Sequence, residues 1–160
     1  MKSHTRGVEG PHKLVSLAAT MLCLGYAPIA PGTAGSAGAV IIYLFICQLN
    51  PYLYELLWIF LFIVSCGVAH SYFRAVGRDD PSEVVIDEAV GFLAAMFLLP
   101  PTAGYVVAAF LLFRLFDIIK PWPARYFDRK IKNGFGIVMD DVMAGVYANV
   151  VIQVFRYFSG

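Results

Sequence analysis

The chain has 160 residues, 59% hydrophobic and 14% charged, with a formal net charge of +1 and a mean hydropathy of +0.71. Soluble domains are about 45–50% apolar and about 25% charged, so one domain of this length cannot hide so much apolar surface from water. The composition therefore excludes an ordinary soluble domain and points to an integral membrane protein. Cys23, Cys47 and Cys66 all lie in apolar segments without C-x-x-C spacing, so they read as small core residues, not a disulfide or zinc framework.

Residues 1–13 form a polar tail with Lys2, Arg6 and Lys13, and 14–160 reads as a single membrane-embedded domain. Segment 14–30 is apolar but short and ends near prolines. More membrane sequence follows it, so it reads as an interfacial or re-entrant helix and not as a signal peptide. The stretch APGTAGSAG at 30–38 is expected to be a turn, because three glycines, Pro31, Thr33 and Ser36 suit helix interiors poorly. Apolar segments follow at 37–49, 56–73, 87–99, 102–119 and 142–158. About 18–20 apolar residues cross a bilayer as a helix, and 56–73 is the clearest such run. NPYLYE, the loop 74–86, Pro100-Pro101 and the charged stretch 114–141 separate them. Asp140 or Asp141 is placed to N-cap the last helix. The expected fold is all-α: a polytopic helical membrane protein with about five spanning helices plus the N-terminal re-entrant or interfacial helix.

Five crossings divide the loops into two sets. One side holds NPYLYE and the Pro-Pro turn, with Glu55 and no Lys or Arg. The other holds Arg74, Arg78, Lys120, Arg125, Arg129, Lys130 and Lys132, and positive loops stay in the cytoplasm. That same side receives the Gly-Thr-Ser turn, Asp87-Glu88 and the stretch 114–141. Ionisable groups gathered at helix ends beside lipid signal a functional site.

Asp87, Glu88, Asp117, Asp140 and Asp141 are hard oxygen donors, suited to Mg2+. Lys120, Arg125 and Arg129 stand beside them and match phosphate oxygens. Gly32, Thr33, Gly35 and Ser36 offer backbone N–H groups and hydroxyls for an anion nest. Metal, clamp and nest together suggest phosphoryl chemistry at a membrane surface. Each residue also has a plainer reading. Asp87 and Asp140 suit N-caps, and Arg114 with Asp117 suits an i,i+3 ion pair. Lys130 and Lys132 suit lipid headgroups, Asp79, Asp80 and Glu83 a solvated loop, and His70 a core histidine. The competing functional class is a membrane cation transporter or channel using the same acids. It would want charges deep within several spans, whereas these lie at helix ends.

Three blocks resemble one known family: APGTAGS at 30–36, IDEAVG at 86–91, and FRLFDIIKPWPARYFDRKIKNGFGIVMDDVMAGVYA at 113–148. The chain resembles phosphatidylglycerophosphatase A over most of residues 14–158. The resemblance implies removal of the terminal phosphate from phosphatidylglycerophosphate, with Mg2+ required, at the bacterial inner membrane with the active site facing the cytoplasm. It implies Asp87, Glu88, Asp117, Asp140 and Asp141 as metal and catalytic acids. Lys120, Arg125 and Arg129 would clamp phosphate, and Thr33 and Ser36 would line the site. Asp128 is a further candidate, as a ligand or an orienter of Arg125. The implied partners are a phospholipid substrate and the membrane; no nucleic acid and no obligate protein partner are expected.

Overall fold

The computed structural model describes residues 11–78 and 81–159. The first ten residues of the polar tail and the Asp79-Asp80 pair of the expected solvated loop lie outside the described residues. Among the described residues there are seven α-helices and no strand. They are α1 (Lys13–Ala19), α2 (Pro31–Ile46), α3 (Pro51–Val76), α4 (Ile86–Ala95), α5 (Ala103–Ile119), α6 (Ala124–Lys130) and α7 (Gly134–Ser159).

The bundle is built around α4, a helix of only 10 residues. Every residue of α4 from Asp87 to Ala95 is buried, and α2, α3, α5 and α7 all pack against it. Its most extensive partner is α7, whose buried positions Gly134, Val138, Asp141, Gly145, Ala148 and Ile152 recur every three or four residues. That spacing puts them on one helical face. Two glycines set the distance between α4 and α7. A Cβ on Gly145 would overlap the Gly91 carbonyl, and one on Gly91 would stand 2.7 Å from both the Asp141 carbonyl and the Phe113 ring. Without a hydrophobic drive between helices in lipid, such close backbone approach supplies much of the packing energy.

An enclosed helix must still satisfy its last carbonyls. Trp58 donates to Val90, Tyr54 to Leu93, and the Asn149 amide to both Ala95 and Phe97. Phe92, Leu93, Met96 and Phe113 fill the core around this frame.

The outer surface is the reverse of a soluble protein's. In α3 only Tyr54, Ser65, Ala69 and Tyr72 are buried, while Leu56, Ile59, Phe60 and Ile63 are exposed. An exposed apolar face of that extent belongs in lipid or against a partner. At 26 residues each, α3 and α7 are long and apolar enough to cross a membrane. They are the two helices of that length among the described residues, against about five expected spans. The 16 residues of α2 and 17 of α5 fall short of it, and α4, at 10 residues, is only about 15 Å long. Segment 14–30 contributes the seven-residue α1 and a 3-10 turn at Leu24–Tyr26.

Three local expectations are corrected. The Gly-Thr-Ala-Gly-Ser stretch is not a turn but the start of α2, entered through Ala30 in the left-handed region (φ 51°) with Pro31 in its first turn. Its glycines serve packing. A Cβ on Gly35 would press into Val85, and one on Gly38 into Leu24. Close approach there outweighs the helix penalty of about 1 kcal/mol per glycine. Asp140 and Asp141 are not N-caps, because α7 starts at Gly134 and carries them inside the helix. Finally, the connection from Lys120 to Asp141 is not one charged loop. It holds α6, and Gly136 lets α7 begin early by admitting the Ile131 carbonyl where a Cβ would otherwise sit.

Gly145→Val should therefore destabilise the protein by about 1–3 kcal/mol, as overpacking does, while Gly67→Val, with open space around it, should not. Thermal unfolding in detergent micelles, compared across the two variants, checks this.

Candidate active site

The N-terminus of α2, the first turn of α4, the C-terminus of α5 and the second and third turns of α7 meet at one end of the bundle. They enclose a cavity of about 180 Å³ lined by Asp87, Glu88, Asp117, Lys120, Asp140 and Asp141, with Pro31, Gly32, Pro81, Ser82, Val84 and Ile137 completing the wall. The five acids expected from the sequence are thus gathered in one place, from three helices. Four of them, Asp87, Glu88, Asp140 and Asp141, are buried.

Two cations hold this charge together. Arg114 rises from α5 with Nη1 2.6 Å from Glu88 Oε1 and 2.7 Å from Asp117 Oδ2. Glu88 Oε2 is 2.6 Å from the hydroxyl of buried Ser36, which also lies 2.9 Å from the Gly32 carbonyl. Both oxygens of Glu88 are therefore engaged by the protein. The fit leaves no room for a side chain at Gly32, where a Cβ would fall on the Glu88 carboxylate and 3.1 Å from the Arg114 guanidinium.

The second cation is Lys120. It caps α5 in the left-handed conformation (φ 47°), and Pro121 prevents the helix from continuing. Its ammonium is 2.8 Å from Asp128 on α6 and 2.5 Å from Asp140 on α7. Burial opposes the ammonium form, but the two carboxylates outweigh it and the Lys120 pKa is raised. The Asp87 carboxylate accepts the Glu88 N–H at 3.0 Å in the first turn of α4, where a helix favours negative charge.

The remaining expected residues fall elsewhere. Ser36 and Gly35 are buried behind the cavity wall, Ser36 against Glu88 and Gly35 against Val85. Thr33, Arg125 and Arg129 are exposed and do not line the cavity. Asp128 pairs with Lys120 and not with Arg125. His70 is exposed on α3, outside the cavity.

Arg114 is the residue that the sequence reading undervalued. It does make the i,i+3 pair with Asp117, but it also reaches Glu88 on another helix. Its signal was an arginine inside an apolar run, which seldom occurs without a buried partner. The wall formed by Pro81, Ser82 and Val84 was also missed, because the acids of that loop suggested a solvated segment.

Residues 17–156 match the family model described as phosphatidylglycerophosphatase A. Among curated proteins, the phosphatidylglycerophosphatase A of Haemophilus influenzae is 37% identical over 131 residues, covering 81% of this chain and 80% of that protein. The Escherichia coli protein of the same name is 34% identical over 137 residues, covering 85% and 77%. A protein of Bacteroides thetaiotaomicron named as a putative phosphatidylinositol-3-phosphatase is 39% identical over 161 residues, covering 96% and 100%. No solved structure matches the chain significantly.

Gly32→Ala should lower activity by tenfold or more, on the order of the loss seen when groups supporting a site are displaced. Gly104→Ala, with nothing within 4 Å, should leave activity unchanged. Turnover of purified, inserted protein measures both.

Proposed function

The chain belongs to the phosphatidylglycerophosphatase A family, and on that premise we propose that it hydrolyses the terminal phosphomonoester of phosphatidylglycerophosphate to phosphatidylglycerol and phosphate. The observation that carries this reading beyond family membership is the cavity: five carboxylates and one ammonium at the end of an apolar bundle. A lipid substrate can keep its chains against the apolar flanks while its headgroup enters from the membrane surface.

Mg2+ is the cofactor in this reading, and the residues present fit it. The donors are all hard oxygens, with no Cys or His in the lining. Five carboxylates against the two cations Arg114 and Lys120 leave an excess of negative charge that would repel a phosphomonoester unless a further cation accompanied it. Among the described residues no three such side chains form a ready-made cage. That suits an ion held by one or two carboxylates, with water and phosphate completing its shell. Its ligands would be drawn from Asp87, Glu88, Asp117, Asp140 and Asp141. When bound, the ion supplies Lewis-acid stabilisation of charge on the phosphoryl oxygens.

The chain's own groups do the rest. Lys120, fixed by Asp128 and Asp140, offers its ammonium to a phosphate oxygen. Arg125 and Arg129, exposed on α6, meet the headgroup outside the cavity. A cavity carboxylate takes the proton from water as the water oxygen bonds to phosphorus. The glycerol oxygen leaves with the bonding pair and takes a proton from solvent water. Direct attack by water is favoured over an aspartyl-phosphate because no acid sits in a D-x-D setting.

The site faces the cytoplasm of a bacterial inner membrane in this reading, since the loops at its end carry the basic residues. Five segments alternate between the two ends of the bundle. The pass begun by α4 is completed by non-helical residues 96–102, with Met96 and Leu99 buried in the core. Irregular backbone at membrane depth is tolerated where protein encloses it. A transporter reading gains no support, because the acids form one terminal cavity and not a path through the bundle. A second substrate is favoured by a specific observation. The Bacteroides thetaiotaomicron relative, named for a phosphatidylinositol phosphate, covers nearly the whole chain.

Incubating the purified protein with phosphatidylglycerophosphate or phosphatidylinositol 3-phosphate, with Mg2+ or EDTA, separates these readings. Phosphate release from the first lipid, abolished by EDTA, is expected. Asp117→Asn and Asp141→Asn should each lower it by about 100-fold or more, the scale of a lost catalytic group, without preventing insertion. Full activity in EDTA would remove the metal. Release from the inositol lipid alone would change the substrate, and cation flux in liposomes without phosphate release would favour transport.

A further inference from the structure

The acids of the cavity are not equivalent. Both Glu88 oxygens are engaged by the protein: Arg114 bonds Oε1 at 2.6 Å and Ser36 bonds Oε2 at 2.6 Å. Asp117 differs, since Arg114 Nη1 approaches only its Oδ2, at 2.7 Å. The Arg114 Nη1 nitrogen thus lies between a carboxylate of α4 and a carboxylate of α5, while its Nε is buried without a partner. Ser36 and Gly32 of α2 close the back of this chain of contacts, Gly32 by lacking the Cβ that would strike both Glu88 and Arg114.

We infer that Glu88 is not a metal ligand but a positioning residue, which acts through Arg114 to orient Asp117 toward the cavity. Ser36, Glu88, Arg114 and Asp117 form a relay across α2, α4 and α5. Arg114 serves there as a built-in counter-cation for Glu88 and Asp117. The one or two carboxylates that hold the cation are then drawn from Asp117, through its other oxygen, Asp87, Asp140 and Asp141. This rests on the metal reading proposed above and narrows its ligand set from five acids to four. It also gives the adjacent acids Asp87 and Glu88 separate roles, although both are buried in the same helical turn.

The chemistry of Glu88→Gln makes the distinction testable. A Gln carbonyl can accept from Arg114 and its amide can donate to the Ser36 oxygen, so the relay keeps its shape without the charge. A direct ligand would lose affinity on that change, whereas a positioning residue would keep most of it. Arg114→Met breaks the relay, removing Asp117's hydrogen-bond partner without replacing any proposed ligand.

The experiment measures Mn2+ binding to the purified full chain by electron paramagnetic resonance, in the absence of lipid substrate. Glu88→Gln is expected to stay within about threefold of the wild-type dissociation constant, while Asp141→Asn and Asp117→Asn weaken it far more. Arg114→Met should weaken it by about 10-fold or more, the usual cost of losing a group that orients a ligand. Weakening by Glu88→Gln as large as that by Asp141→Asn would overturn the inference and restore Glu88 as a ligand. Thermal unfolding of Arg114→Met, Glu88→Gln and the double variant tests the relay without metal. Non-additive shifts support it, and additive shifts overturn it. Non-additive shifts among these variants, with no Mn2+ binding by the wild-type protein, would reject the metal reading, and the ligand assignment with it, while leaving the Arg114 pairing intact.

Discussion

Burying carboxylates is the constraint on which the rest of the structure depends. Five acids converge on one cavity, four of them in the interior, and two basic side chains pair with three of them, Arg114 with Glu88 and Asp117 and Lys120 with Asp140. A carboxylate removed from water without a partner costs several kcal/mol, even after relaxation. Each cation therefore binds acids on two different elements. Arg114 joins α4 to the end of α5, and Lys120 joins α6 to α7. The electrostatics of the site and the docking of its helices are one arrangement.

The apolar part of the chain makes that arrangement possible by enclosing α4. Backbone contact at Gly91 and Gly145 brings α7 against it, so Asp140 and Asp141 reach the level of Asp87 and Glu88. Tyr54, Trp58 and Asn149 satisfy the carbonyls at the far end of the same helix. The charged turn of α4 is held at the cavity by these contacts on its other turns. Exposed Leu, Ile and Phe side chains on α3 and exposed Val and Phe side chains on α7 form an apolar outer surface, leaving small residues of α7 to the interior.

Much of this was legible in the residues. Asp87-Glu88, Asp117 and Asp140-Asp141 announced themselves as acids in an otherwise apolar chain, and alternation of the segments brought them to one end. The errors have physical causes. Gly32, Gly35, Ser36 and Gly38 read as a turn because helix propensity is local, whereas their fit against Glu88, Val85 and Leu24 is tertiary. Asp140 read as a cap because it stands just before the apolar run 142–158, yet Gly134 and Gly136 admit the backbones of α3 and the α6–α7 connection and α7 starts before it. Arg125 and Arg129 read as clamp residues from proximity in sequence. The short helix α6 instead turns Asp128 toward Lys120 and leaves both arginines outside the cavity. Arg114 could be paired with Asp117 by spacing, but its bond to Glu88 spans 26 residues and two helices.

The central claim is that this carboxylate cavity holds a divalent cation beside a phosphomonoester. Crystals of the protein soaked with Mn2+ and measured at the manganese absorption edge test it most directly. The account predicts an anomalous peak within the cavity, against Asp141 and at least one of Asp87, Asp117 and Asp140, near the Lys120 ammonium. A peak at another place in the bundle, with none in the cavity at saturating Mn2+, would contradict it.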